Sequence, residues 1–175
     1  IKQEADNSSH ALTDDEILMF NKTSGTTAEP KLIPITKESL KGLRLSQSLM
    51  VYLQYKLQPF GYHGKIIGIA SPAVEGMSEH QIPIGSASGH FYKNVARIVE
   101  SKYVMPYEVL EITEYELKYY VILLFCLQDK NITYIATANP TTILKLAEIL
   151  NARKEDLLHD FKTGTITGAT LANTP

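Results

Sequence analysis

The sequence lacks a second cysteine, a surplus of charge, and any apolar run long enough for a membrane, and each absence removes a class of function. Cys126 stands alone, so no internal disulfide is available. A thiol set in the apolar run 119–127 reads as a small buried hydrophobe rather than a nucleophile. The count of 17 Lys and Arg against 19 Asp and Glu leaves a net charge of −2. That balance offers no electrostatic hold on nucleic acid or on an anionic membrane. The run 119–127 is the longest apolar stretch; it is too short to cross a bilayer and reads as a buried helix face. His10, His63, His80, His90 and His159 form no pair at metal-ligand spacing, so a zinc site is not expected. With no disulfide framework and no signal peptide visible, a cytoplasmic address is expected.

The 175 residues, 44% of them hydrophobic, are enough for one domain with a real core. Residues 17–22 and 31–35 read as two strands. Thr36 is placed to cap a helix over residues 37–57, whose apolar stripe would be Leu40, Leu43, Met50, Leu53 and Leu57. Residues 65–70 read as a buried strand, and the Gly- and Pro-containing stretch up to Gly89 as irregular chain, of the kind that is often functional. A helical pattern resumes over 91–100. Thr113-Glu114-Tyr115-Glu116 reads as a capping box opening a helix to Gln128, with Leu117, Val121 and Leu124 facing inward. Residues 132–137 read as a strand, Asn139-Pro140 as the start of a helix to Leu150, and 154–161 as a final helix. Alternation of strand and helix predicts an α/β fold with a largely parallel sheet.

Between the first two strands lies Thr23-Ser24-Gly25-Thr26-Thr27-Ala28-Glu29-Pro30-Lys31. Ser, Thr and Gly are common in plain surface turns. Here, however, four hydroxyls and a glycine fall in five positions, with a lysine four residues on. Glycine allows successive N–H groups to converge on an anion, hydroxyls add donors without bulk, and lysine adds mobile positive charge. The Walker pattern is absent, as are a dinucleotide fingerprint and a Gly-x-Ser-x-Gly elbow. Gly85-Ser86-Ala87-Ser88-Gly89 could mimic an elbow, but neither a strand before it nor a helix directly after it is expected. A hydrolase using Ser86 or Ser88 is a remote third reading. His80 and His90 flank the irregular stretch and could reach a substrate if it lines a pocket. Asp156 and Asp160 lie four apart on a helix with no opposing group evident in the sequence.

The order Thr-Ser-Gly-Thr-Thr…Pro-Lys resembles the phosphate loop of the acyl-adenylate-forming enzymes, although Ala28 and Glu29 stand where glycine or serine is usual. Over residues 12–165 the chain resembles the auxin-responsive promoter family of acyl acid–amido synthetases, its microbial members above all. The stretches that carry this are Phe20-Asn-Lys-Thr-Ser-Gly-Thr-Thr, Ser71-Pro-Ala-Val-Glu-Gly, Ile82-Pro-Ile-Gly-Ser-Ala-Ser-Gly, Tyr103-Val-Met-Pro-Tyr-Glu-Val and Thr137-Ala-Asn-Pro-Thr-Thr-Ile-Leu. The resemblance implies part of the large N-terminal domain of a ligase that joins a carboxylic acid to an amino acid or other amine at the expense of ATP, with Mg²⁺. It implies that Thr23, Ser24, Gly25, Thr26, Thr27 and Lys31 hold the nucleotide phosphates. Position alone nominates Gly85, Ser86, Ser88 and His90 for the acyl substrate. The family's later nucleotide motifs are not found, so the chain is expected to be an inactive fragment needing the remainder of its parent. On this view residues 1–11 are loose, 12–165 form a partial adenylation domain, and 166–175 are a tail at a truncation point. The alternative is a non-catalytic binding or interaction module that keeps the fold.

Overall fold

The computed structural model describes residues 13–23 and 30–166. The expected loose segment 1–11, most of the expected tail 166–175, and Ser24, Gly25, Thr26, Thr27, Ala28 and Glu29 lie outside the described residues. In chain order the elements are β1 (Ile17–Lys22), β2 (Leu32–Thr36), α1 (Lys37–Leu57), a 3-10 turn (Pro59–Tyr62), β3 (Lys65–Ile69), β4 (Gly76–Met77) and β5 (Pro83–Gly85). There follow α2 (Ala87–Lys93), α3 (Arg97–Glu100), a second 3-10 turn (Tyr107–Glu111), α4 (Tyr115–Gln128), β6 (Ile132–Thr137), α5 (Thr141–Ala152) and α6 (Lys154–Thr163). They divide into two compact units. One holds the described residues up to 61 together with 70–96, the other residues 62–69 together with those from 97 onward.

The first unit is built on a four-stranded sheet in the order β2-β1-β5-β4. β1 pairs antiparallel with β2, with Phe20 opposite Pro34. Proline cannot donate to a ladder, and its place in β2 agrees with that strand lying at the sheet's edge. β1 then pairs parallel with β5, and β5 antiparallel with β4. This sheet is therefore mixed, so the parallel character expected holds in part. The stretch read as irregular contains β4 and β5, which are joined by a turn with Gln81 at φ 61°. Ser78 ties that turn together: its N–H donates to Ile82 O and its Oγ accepts from Ile82 N–H.

Thr36 caps α1 as expected, its side chain accepting from Ser39 N–H at 3.2 Å. Met19, Ile35 and Leu40 form a buried cluster, with Phe91 packed against it. The expected stripe on α1 stops there. Leu40 is its one buried residue, while Leu43, Met50, Leu53 and Leu57 are exposed.

In the second unit β3 and β6 form a parallel pair. α4 is not the one-sided helix expected. Six successive residues, Tyr119 to Leu124, are buried, so the middle of α4 is enclosed on all sides, while Tyr115 and Leu127 near its ends are exposed. Its N-cap is Glu114 rather than Thr113; the carboxylate accepts from the N–H groups of Glu116 and Leu117. Asn139 opens α5 as expected, accepting from Thr141 N–H at 3.0 Å. α6 ends at Gly164, whose φ of 71° suits a left-handed cap. The two aspartates of α6 do have opposing groups: Arg153 pairs with Asp156 at 3.1 Å, and buried Asp160 accepts from Tyr120 at 2.7 Å and from Thr165 at 2.8 Å.

Candidate functional site

Parallel strands present their carboxyl ends on the same edge of a sheet, and in α/β proteins ligands gather there. In the first unit the parallel pair is β1 with β5, in the register Phe20↔Ile84 and Asn21↔Gly85. One residue past β1 comes Thr23, and one residue past β5 comes Ser86. Thr23 and the Gly85-Ser86-Ala87-Ser88 turn, far apart in sequence, therefore follow the sheet from adjacent strand ends.

The stem of the loop is closed by two hydrogen bonds. Thr23 N–H donates to Lys31 O at 3.0 Å, and Lys31 N–H donates to Thr23 Oγ1 at 3.1 Å. Thr23 Oγ1 is an acceptor in that bond, so its proton is left to donate elsewhere. Lys31 itself is exposed. Lys22, the last residue of β1, pairs with Glu75 at 3.2 Å. With both main-chain N–H groups spent inside the stem, the donors it presents are the Thr23 hydroxyl and the exposed Lys31 ammonium, both of a kind suited to phosphate oxygens. Mg²⁺ has no ready-made seat in this unit: among the described residues no group of three His, Cys, Asp or Glu is placed to hold a metal ion.

The second wall is the junction of β5 and α2. Ser86 caps α2, its Oγ accepting from Gly89 N–H at 3.3 Å and sharing a 2.6 Å hydrogen bond with Ser88 Oγ. A strand precedes Ser86 and a helix follows at once, against expectation. Even so, the strained backbone of a nucleophile elbow is missing, since Ser86 sits at φ −111°, ψ 130°. The residues 71–74 cross this junction closely. Ser86 N–H donates to Pro72 O at 3.0 Å. A Cβ on Gly85 would lie 2.0 Å from Ala73 O, and one on Gly89 2.2 Å from Ser71 O. Gly85 therefore serves packing in the first place.

His90 lies one turn into α2, half-buried, with its ring edge-on to Phe91 at 6.4 Å. Burial, aided by the Arg44 guanidinium, lowers its pKa, so the ring is neutral near pH 7. Neutral imidazole can accept a proton or a hydrogen bond. In the second unit, burial pushes the Cys126 thiol up to about 11, which fits a packing residue and not a nucleophile.

Of the nominated residues, the structure gathers Thr23, Lys31, Gly85, Ser86 and Ser88 at one sheet edge, with His90 close behind them in α2. Asn21 was missed by sequence reading. Its Oδ1 accepts from Ala87 N–H at 2.9 Å and so links the two walls. The signal was there in the strand's alternation, which sets a polar Asn21 directly after fully buried Phe20.

A family model described as "GH3 family N-terminal domain" matches residues 1–174. Among solved structures, one described as "GH3.15 acyl acid amido synthetase" superposes with a TM-score of 0.72 at 24% identity, covering 89% of this chain and 27% of that one. Another, "AtGH3.15 acyl acid amido synthetase in complex with 2,4-DB", gives a TM-score of 0.69 at 24% identity, covering 90% of this chain and 28% of the other. The chain spans between a quarter and a third of the length of these structures, and the likeness is one of fold. No curated protein sequence matches it.

Proposed function

The chain belongs to the GH3 family through its N-terminal domain, and from that membership we propose that it forms the phosphate-holding wall of an ATP-dependent acyl acid–amido synthetase. The reaction has two steps. A carboxylate oxygen attacks the α-phosphorus of ATP, giving an acyl-adenylate and pyrophosphate. An amine, from an amino acid or a similar donor, then attacks the acyl carbon; AMP leaves and the nitrogen's extra proton passes to solvent. Mg²⁺ bound to the nucleotide would neutralise charge on its phosphates.

Carrying this reading is the parallel pairing of β1 with β5, which sets the Thr23–Lys31 stem beside Ser86 and Ser88. On it, the N–H groups of Ser24, Gly25, Thr26 and Thr27 and the hydroxyls of Thr23, Ser24, Thr26 and Thr27 are donors to the β- and γ-phosphates, and Lys31 answers the charge gathering on departing pyrophosphate. Ser86, Ser88 and His90 face the acyl side, where a hydroxyl pair and a neutral imidazole can orient a carboxylate. Gly85 keeps that wall close to the sheet. In-line attack needs both partners held within near-contact geometry, which is what a rigid sheet edge supplies. The amine and the closing part of the site come from the remainder of the parent protein. Among the described residues no helix is long and apolar enough to cross a membrane.

The test is Ser24→Ala combined with Thr26→Ala in the full-length protein, assayed for pyrophosphate release dependent on both ATP and acid. Release should fall by about a hundredfold or more, as expected for the loss of preorganised donors. Undiminished release would remove the loop from the site. No release by the unaltered, folded protein would favour the non-catalytic module.

A further inference from the structure

The backbone pairing of β1 with β5 is short, since only Phe20↔Ile84 and Asn21↔Gly85 are in register. After Gly85 the chain turns into α2 and cannot continue the ladder. At that point a side chain takes over: Asn21 Oδ1 receives the Ala87 N–H at 2.9 Å. The opposite side of the junction is already immobilised, because Ser86 N–H is bound to Pro72 O and neither Gly85 nor Gly89 leaves room against the backbone of residues 71–74. Two residues beyond Asn21 is Thr23, half of the loop stem. The Asn21–Ala87 hydrogen bond thus carries the two-residue ladder one step further, tying the serine turn to the strand that leads into the Thr23–Lys31 stem.

We propose that Asn21 is a positioning residue that fixes the Thr23–Lys31 stem relative to the Ser86–Ser88 turn; this rests on the adenylation reading above. It acts through Ala87 N–H and the loop stem, without a contact of its own to the substrates. Its effect belongs to the alignment of two bound substrates more than to the affinity for either. A displacement of about 1 Å at such a site costs on the order of a hundredfold in rate.

The bond can be removed from either end. Asn21→Ala deletes the acceptor. Ala87→Pro deletes the donor at the first position of α2, where proline is well tolerated, and Ser86 at φ −111°, ψ 130° already has the backbone preferred before proline. Both variants and their combination are made in the full-length protein and followed by acid-dependent ATP–pyrophosphate exchange. Each single change should lower kcat by about tenfold or more while KM for MgATP and for the acid stays within about twofold. The double variant should be no slower than the slower single one, since both delete the same bond. Unchanged kcat in Ala87→Pro, or losses that multiply in the double variant, would overturn the proposal. Unaltered protein that exchanges normally while the variants do too defeats the positioning role alone. An unaltered protein with no exchange defeats the adenylation reading, and this inference with it.

Discussion

Two glycines show how differently one residue type is used. Gly89 carries the close approach of residues 71–74: a Cβ there would lie 2.2 Å from Ser71 O and 2.5 Å from Ala73 N, both fixed backbone atoms. Gly42 lies within α1 with nothing inside 4 Å of its would-be Cβ. Gly89→Ala should therefore destabilise by about 1–3 kcal/mol through overpacking, and Gly42→Ala should stabilise by about 0.5–1 kcal/mol through helix propensity. Urea midpoints of the two variants will show opposite signs. Tyrosines of the second unit make a pH-dependent contribution. Burial, with the hydrogen bond to Tyr134 second, pushes the Tyr62 phenol up to about 12. Burial, with Asp160 second, raises that of Tyr120 as well. In each case the folded chain holds its phenol proton more tightly than the unfolded chain does. The stability so gained is complete below about pH 10 and is lost as pH rises towards 12. Denaturation midpoints measured across that window should fall, and Tyr62→Phe should flatten the fall. A flat profile in the unaltered protein would contradict it.

At the scale of elements, α1 has one end set in the core and a long apolar remainder exposed. Leu40 is 7% exposed, whereas Leu45 and Leu57 are 74% and 84% exposed. Leu40→Ala should cost about 2–4 kcal/mol, while Leu45→Lys and Leu57→Glu should each change stability by no more than about 0.5 kcal/mol and raise solubility by breaking up the apolar patch. Chemical denaturation and a solubility limit together check this. The same helix shows what was legible in the sequence. Thr36 before Lys37, with Glu38 in the first turn, announced the helix start because capping is local chemistry. The stripe of Leu43, Met50, Leu53 and Leu57 announced apolar periodicity, but periodicity does not say what covers a face. β4 and β5 escaped notice because strands of two and three residues hold too little alternation to read. The capping of α4 was misplaced by one residue, as Glu114 with its longer reach took the N–H groups assigned to Thr113.

For the whole molecule, the α/β class followed from the order of elements, but the sense of strand pairing did not. β1 and β2 flank a loop short enough to close a hairpin, and β4 and β5 do likewise, which makes both pairs antiparallel. Only the pairing of β1 with β5, set by tertiary contacts, is parallel in that sheet. That one pairing converts two sequence-distant motifs into neighbours. Thr23 and Lys31 were visible as a loop, and Ser86 and Ser88 as a cluster. Their convergence depended on topology, and so did the place of Asn21 between them.

The most direct test of the central claim is hydroxylamine trapping by the full-length protein, with MgATP and a panel of carboxylic acids. Hydroxylamine stands in for the amine and captures an activated acyl group as its hydroxamate. An acyl-adenylating synthetase should yield a hydroxamate that requires both ATP and a particular acid, with one AMP formed for each. ATP consumed without hydroxamate, or none consumed by a folded protein across the panel, would contradict the account.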